Sequence, residues 1–131
     1  MHFILITNRP RIAQYACGRG VDWIMVDLET LGKSERQGHL DTVMNTHTIA
    51  DVQNVRTSVP KGRLLVRTNP LHENSLSEID ALIDAGADIV ETSITPFANG
   101  TAQPDTVRLL AALSGDKRAP QFDTDKLHEL S

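Results

Sequence analysis

The sequence has little of several residue types on which particular folds and functions depend. Its 131 residues include one cysteine, Cys17, which excludes an intrachain disulfide and a CxxC metal site. Cys17 has apolar neighbours, as a buried structural thiol would. Three Phe, one Trp and one Tyr are too few for the stacking platforms that hold single-stranded nucleic acid. The net charge of −4 also argues against nucleic-acid binding.

Long apolar runs are missing as well. The apolar start HFILIT is too short to cross a membrane and lacks the basic region and cleavage site of a signal peptide. We therefore expect a cytoplasmic protein with neither a membrane nor a nucleic acid as its partner. A chain that is 40% hydrophobic and 23% charged is ordinary for a globular protein, and its length suits one domain over residues 1–131.

Short apolar runs alternate with helical patterns four times along the chain. The predicted strands cover residues 2–7, 21–29, 63–69 and 88–94, and the predicted helices cover 11–20, 47–60, 75–87 and 104–115. Prolines near helix starts and glycines at helix ends support these bounds. Strict alternation with apolar strands predicts an α/β fold, in which helices cover a parallel sheet and the crossovers are right-handed.

Four βα units are half of a (βα)8 TIM-type barrel, which needs around 250 residues. Four parallel strands leave two open sheet edges, and two copies of such a unit can close an eight-stranded barrel with C2 symmetry. The sequence therefore predicts a half-barrel that pairs as a homodimer. The alternative is a flavodoxin-like open α/β sandwich.

Polar residues follow the predicted strands where each one ends. Asp27 and Glu29 end the second strand, Arg67 and Asn69 the third, and Thr92 the fourth. In barrels and open sheets alike, this rim carries the chemistry. A guanidinium beside carboxylates can hold an anionic substrate and a metal, so we predict Arg67, Asn69 and Thr92 as substrate-binding residues. Asp27 and Glu29, two apart on one strand face, are the predicted ligands of magnesium or manganese. A structural Glu29–Arg67 ion pair and a loop-capping Asp27 remain as alternatives.

Residues 1–90 resemble the HpcH/HpaI aldolase and citrate-lyase β-subunit family, through GVDWIMVDLE, ERQGHLDTV, LLVRTNP and EIDALIDAGADIV. That family forms a (βα)8 barrel. It makes or breaks carbon–carbon bonds next to a keto acid or acyl thioester, with a divalent metal that stabilises an enolate. The resemblance implies that Arg67 holds keto-acid oxygens and that Glu29 is the acidic residue ending strand two. Thr30 stands where the aldolase branch has an acid–base histidine.

Residues 85–130 resemble the last strand and helix of biotin-dependent carboxyltransferase domains, as in oxaloacetate decarboxylase and pyruvate carboxylase. The matching segments are AGADIVETSITPFANGTAQPDTVRLLAAL and FDTDKLHEL. This resemblance implies that Thr101 is the threonine that moves a proton between pyruvate and biotin. The His-x-His, lysine and aspartate of that family's metal site are missing, and no biotin is expected.

Together the two resemblances imply a chimera, natural or constructed. The sequence thus predicts a protein that descends from metal-dependent carbon–carbon lyases acting on keto acids and has little or no activity. Its catalytic residues would be Glu29, Arg67 and Thr101. Two alternatives stay open: a non-catalytic TIM-barrel scaffold, and a small-anion-binding module.

Overall fold

The computed structural model describes residues 1–31, 45–94, 97–98 and 103–129. The elements are, in chain order, β1 (Ile4–Ile6), α1 (Pro10–Cys17), β2 (Trp23–Asp27), α2 (Ile49–Arg56), β3 (Leu64–Arg67), α3 (Ser75–Asp84), β4 (Ile89–Val90), α4 (Thr106–Ala112) and α5 (Thr124–Glu129). The predicted alternation of four strands with helices is confirmed. None of the helices within these residues has the length and apolar character needed to cross a membrane.

The sheet has the strand order β1-β2-β3-β4, and every neighbouring pair is parallel. Each right-handed crossover therefore steps to the next strand in the same direction, which puts the connecting helices on one face of the sheet. A flavodoxin-like sandwich requires a reversal of strand order and helices on both faces. The sheet corresponds to half of a (βα)8 barrel, as predicted.

The hydrophobic core lies between the sheet and its helices. It contains Ile24, Val26 and Leu28 from β2 and its end, Leu64 and Val66 from β3, and Ala13, Ala16, Val52, Val55, Val59, Leu82 and Ala85 from the helical side. Side chains alternate along a strand, so Asp27 and Arg67 point to the other face. In a closed barrel this second face would be the interior.

The start of α2 lies close to the carboxyl end of β2. Thr48 is the N-cap of this helix, and its side chain accepts a hydrogen bond from the backbone N–H of Asp51, whose carboxylate accepts one from the Thr48 backbone N–H. The sequence spacing, a threonine followed three residues later by an acidic residue, is typical of such a capping box. It fixes the backbone just after Asn45 and His47, which both contact Asp27.

Candidate functional site

Asp27, the last residue of β2, is only 3% exposed. Its Oδ1 accepts a hydrogen bond from the backbone N–H of Glu29 at 3.2 Å, and its Oδ2 accepts one from Nδ2 of Asn45 at 3.2 Å. Its own backbone N–H donates to Nδ1 of His47 at 3.1 Å, so Nε2 carries the proton of that imidazole when it is neutral. These bonds match the loop-capping role that the sequence offered as an alternative. The metal role of Asp27 stays a prediction.

Arg67, the last residue of β3, lies beside Asp27 in the sheet register. Its Nε donates to Oε2 of Glu91 at 3.0 Å, and its Nη1 lies 3.9 Å from Oε2 of Glu29. The side chains of Arg67, Glu29 and Glu91 are 27%, 12% and 30% exposed. Burial acts to lower the pKa of the Arg67 guanidinium. The hydrogen bond and charge of Glu91, with smaller contributions from Asp27 and Glu29, outweigh it and raise that pKa.

Within the described residues, three carboxylates act on one guanidinium in this rim cluster. They are those of Asp27, Glu29 and Glu91, which all raise the pKa of Arg67 or lie beside it. A small anion that approaches Arg67 meets these carboxylates at short range, where screening by solvent is incomplete. An accompanying cation, or the displacement of one carboxylate from the guanidinium, would therefore favour anion binding.

Asn69 follows β3 and holds the chain that leaves β2. Its Oδ1 accepts hydrogen bonds from the backbone N–H groups of Thr30 at 2.8 Å and Leu31 at 3.0 Å. Its Nδ2 donates to Oε1 of Glu78 at 3.0 Å, and Oε2 of Glu78 lies 2.9 Å from Nε2 of His72. Both ends of the carboxamide are thus hydrogen-bonded to other residues of the chain, and these bonds hold the loop that carries Glu29. Substrate binding by Asn69 stays a prediction beside this positioning role.

The described structure does not bring Thr92 next to Arg67. The Thr92 hydroxyl accepts a hydrogen bond from the hydroxyl of Thr106 at 2.9 Å, at the start of α4. Thr92 therefore faces the helical side of the sheet, whereas its neighbour Glu91 faces Arg67. Thr101 lies outside the described residues.

Glu91 is the site residue that the sequence prediction missed. β3 and β4 pair with Leu65 opposite Ile89, so two residues further along each strand Glu91 comes beside Arg67. The signal was present in the sequence as a carboxylate one residue after the apolar pair Ile89 and Val90. Which face it points to depends on the pairing register, which the sequence does not state.

The rim carboxylates are the side chains that could bind a divalent metal ion, and their number and type decide whether such an ion fits. The described residues contain no group of three or more His, Cys, Asp or Glu side chains arranged to hold a metal ion. Asp27 and Glu29 supply oxygen ligands, the type that Mg²⁺ and Mn²⁺ prefer. Mg²⁺ commonly takes one or two carboxylates and completes its coordination with water and substrate oxygens. The donor type fits, and the donor number is at its lower limit.

Comparison with known proteins finds similarity to parts of pyruvate carboxylases. No model of a known protein family matches the chain. A pyruvate carboxylase polypeptide of Methanocaldococcus jannaschii is 45% identical over 49 residues, which are 37% of this chain and 9% of that protein. The carboxyl transferase domain of Rhizobium etli pyruvate carboxylase superposes on 98% of this chain with a TM-score of 0.62 and 16% sequence identity. The same domain solved with pyruvate and biocytin gives a TM-score of 0.60 over 92% of the chain, at 18% identity.

The chain is similar in fold to part of a carboxyltransferase domain. It spans 22% and 18% of the lengths of those two solved chains. The predicted resemblance to carboxyltransferases is thereby confirmed at the level of the fold, and it extends over nearly the whole chain rather than residues 85–130 alone. The resemblance of residues 1–90 to the HpcH/HpaI aldolases has no counterpart among these relatives.

Proposed function

We propose that the chain is a keto-acid-binding half-barrel of metal-dependent carbon–carbon lyase ancestry, with little or no turnover of its own. The observation that carries this proposal is the partly buried guanidinium of Arg67, which lies at the carboxyl end of the sheet beside Asp27 and Glu29. A guanidinium binds a carboxylate through two parallel hydrogen bonds. The Rhizobium etli domain has been solved with pyruvate and with oxalate, which supports small keto acids and their analogues as the ligand class.

Each residue of the rim has a proposed role. Arg67 binds the ligand carboxylate, and Asp27 and Glu29 are the residues that would hold Mg²⁺ or Mn²⁺. When bound, such an ion supplies polarisation of a carbonyl oxygen. Asn69 and Thr92 are kept as proposed substrate-binding residues, and Thr101 is kept as the proposed proton-transfer residue.

Turnover is expected to be weak because a proton acceptor is missing where the resemblance implies one. Thr30 occupies that position, and a hydroxyl is a poor base near neutral pH. No biotin is expected, and the inference of a composite origin is kept as a proposal, as is a cytoplasmic location.

We also propose that residues 1–131 form one half-barrel domain and that two copies pair into a homodimer. The support is the order of the four strands, which leaves β1 and β4 at the two edges of the described sheet. A non-catalytic scaffold or an anion-binding module without any turnover are the alternative functions. Both keep this fold and differ only in what the rim does.

The test of the rim is the binding of oxalate and pyruvate, measured by calorimetry with Mg²⁺ present. Arg67→Ala should weaken binding by about tenfold or more, a loss of roughly 1.4 kcal/mol or more. Its melting temperature should move by no more than about 3 °C, because a partly exposed ion pair contributes about 1 kcal/mol or less. Arg63→Ala is the matched control, since Arg63 precedes β3 at the opposite end of the strand and is exposed.

Two outcomes of the binding experiment would contradict the proposal. If Arg67→Ala binds oxalate as tightly as the unchanged chain, Arg67 is not the anion-binding group. If Arg67→Ala unfolds, Arg67 is a structural residue. Oxaloacetate decarboxylation and retro-aldol cleavage are assayed beside the binding experiment and should not exceed the metal-only background. Turnover above that background, abolished by both Glu29→Gln and Arg67→Ala, would show a working enzyme instead.

A further inference from the structure

We propose that Glu91 is an internal competitor for Arg67, whose carboxylate occupies the guanidinium in place of a ligand carboxylate and so sets the anion affinity of the rim. This inference rests on the proposed function, because it assumes that Arg67 is the anion-binding group. It assigns to Glu91 a specificity role that neither the sequence patterns nor the relatives indicate.

Glu91 occupies one of the two edges through which the Arg67 guanidinium can bind a carboxylate. An arginine offers a carboxylate two edges, one formed by Nε and one Nη atom and the other formed by the two Nη atoms. Glu91 takes Nε at 3.0 Å, and Glu29 stands 3.9 Å from Nη1, which is too long for a hydrogen bond. Within the described residues, Glu91 is therefore the one carboxylate hydrogen-bonded to this guanidinium. It holds the edge that a bidentate ligand would need on that side.

The second step is that Glu91 is the carboxylate most easily displaced. Its side chain is 30% exposed, against 12% for that of Glu29, while the residue Asp27 as a whole is 3% exposed. In the described structure its carboxylate hydrogen-bonds to Arg67 and to no other residue, whereas the Asp27 carboxylate accepts hydrogen bonds from the backbone N–H of Glu29 and from Nδ2 of Asn45. A partly exposed pair of this kind is worth about 1 kcal/mol or less. Rotation of Glu91 into water therefore costs about as much as a fivefold change in affinity.

The third step is the charge of the cluster. With Glu91 in place, an incoming carboxylate faces three carboxylates of the described residues around one guanidinium. Removal of the Glu91 charge leaves two, and a neutral acceptor then holds the Nε edge more weakly, so a ligand carboxylate displaces it more readily. Both changes act in the same direction, so they should tighten anion binding without any new contact.

The experiment compares Glu91→Gln with the unchanged chain in oxalate titrations at fixed Mg²⁺ concentration. Glutamine keeps the shape and one hydrogen-bond acceptor but removes the charge. The expected result is an affinity for oxalate that is up to about fivefold tighter, the change that corresponds to about 1 kcal/mol. Glu73→Gln is the matched control, because it removes the same charge from the exposed loop after β3, and it should leave the affinity unchanged.

A double variant separates competition from a general electrostatic effect. In an Arg67→Ala background, Glu91→Gln should give no gain, because there is no guanidinium to release. Should Glu91→Gln disturb folding, Glu91→Asp shortens the side chain while keeping the charge, and it should give a smaller gain. Unchanged or weaker oxalate binding by folded Glu91→Gln, or an equal gain in Glu73→Gln, would overturn the inference.

The binding experiments distinguish failure of anion binding by Arg67 from failure of competition by Glu91. If Arg67→Ala loses oxalate and Glu91→Gln behaves as the unchanged chain, the anion site stands and the competitor does not. If neither the unchanged chain nor Glu91→Gln binds oxalate, both proposals are wrong. If only Glu91→Gln binds, in a manner that depends on Arg67, both are supported and the competition is strong.

Discussion

Two arginines, Arg56 and Arg67, lie at opposite ends of the sheet, and their hydrogen bonds indicate different roles. Nη1 of Arg56 donates to the carbonyl oxygen of Gly86 at 3.0 Å and to Oδ2 of Asp88 at 2.5 Å, and Nη2 donates to the carbonyl oxygen of Val59. Asp88 Oδ2 also accepts the backbone N–H of Leu64 at 3.0 Å. Arg56 therefore joins the end of α2 to the starts of β3 and β4. Arg67, at the carboxyl end, is hydrogen-bonded through Nε alone in the described structure.

The Asp88 carboxylate should make the protein less stable in acid. Burial acts to raise its pKa, but the Leu64 N–H and Arg56 outweigh burial, and the pKa lies below the ordinary 3.8. A depressed pKa in the folded state contributes stability above the unfolded value, and this contribution is lost as pH falls through the folded value. Urea unfolding of the unchanged chain between about pH 5 and pH 3 should thus show a falling free energy of unfolding, and Asp88→Asn should flatten this slope.

Asp84→Asn is the control for this prediction, because the Asp84 side chain is 80% exposed. It should leave the slope close to that of the unchanged chain. Equal slopes in Asp88→Asn and the unchanged chain would mean that Asp88 titrates normally and that its contacts do not stabilise the fold.

At the scale of elements, the sequence predicted the kind and order of the strands and helices but not how they meet. Apolar runs and helix-capping patterns such as Thr48–Asp51 are local, so they can be recognised along the chain. The contact of Glu91 with Arg67 depends on the pairing register of a strand of two residues, Ile89–Val90. A strand this short cannot show an alternation of apolar and polar residues. The bonds from Asn69 to Thr30 and Leu31 span 39 and 38 residues. No local pattern contains a contact of that kind.

Among the described glycines with a left-handed backbone, Gly86, between α3 and β4, should be the least tolerant of a side chain. Gly86 has a φ of 96°, and an added Cβ would lie 2.6 Å from Cδ and 2.8 Å from Cγ of Arg56. Gly115, after α4, has a φ of 89° and no atom within 4 Å of the same position. Gly115→Ala should therefore cost only the left-handed backbone strain, roughly 1–2 kcal/mol.

Gly86→Ala carries the same strain and in addition pushes Arg56 away from Asp88 and the Val59 carbonyl oxygen. We expect its total cost to exceed that of Gly115→Ala by about 1–3 kcal/mol, the usual penalty for buried polar groups that lose a partner. Chemical denaturation of the two variants gives the comparison directly. Equal costs would mean that Arg56 moves aside freely and that the junction is not held by it.

At the scale of the whole molecule, the two faces of the sheet are covered unequally. The helical face is closed over Ile24, Val26, Leu64 and Val66, each of them 0% exposed. On the opposite face, Met25 and Leu65 of the two central strands are buried, but Ile4 and Ile6 of the edge strand β1 remain 48% and 45% exposed. Buried apolar area stabilises at roughly 25 cal/mol per Å², so this edge gains from contact with another apolar surface. In the carboxyltransferase domains of similar fold, the matched part is only 22% or less of the solved chain.

A second copy of the chain is the occupant we propose for this face, and sedimentation should detect it as a dimer at micromolar concentration. A two-fold axis along the barrel would bring β1 of one copy beside β4 of the other at both seams, so each seam gains backbone hydrogen bonds and covers Ile4 and Ile6. Ile6→Glu should shift the protein to monomers, because each two-fold seam would bury a further carboxylate on a face that already carries those of Asp27 and Glu91. Ile12→Glu is the matched control, since Ile12 is 42% exposed on α1, on the helical side, and it should stay dimeric. An unchanged chain that stays monomeric throughout this range, or an equal loss of dimer in both variants, would mean that two copies do not pair through the barrel-interior face.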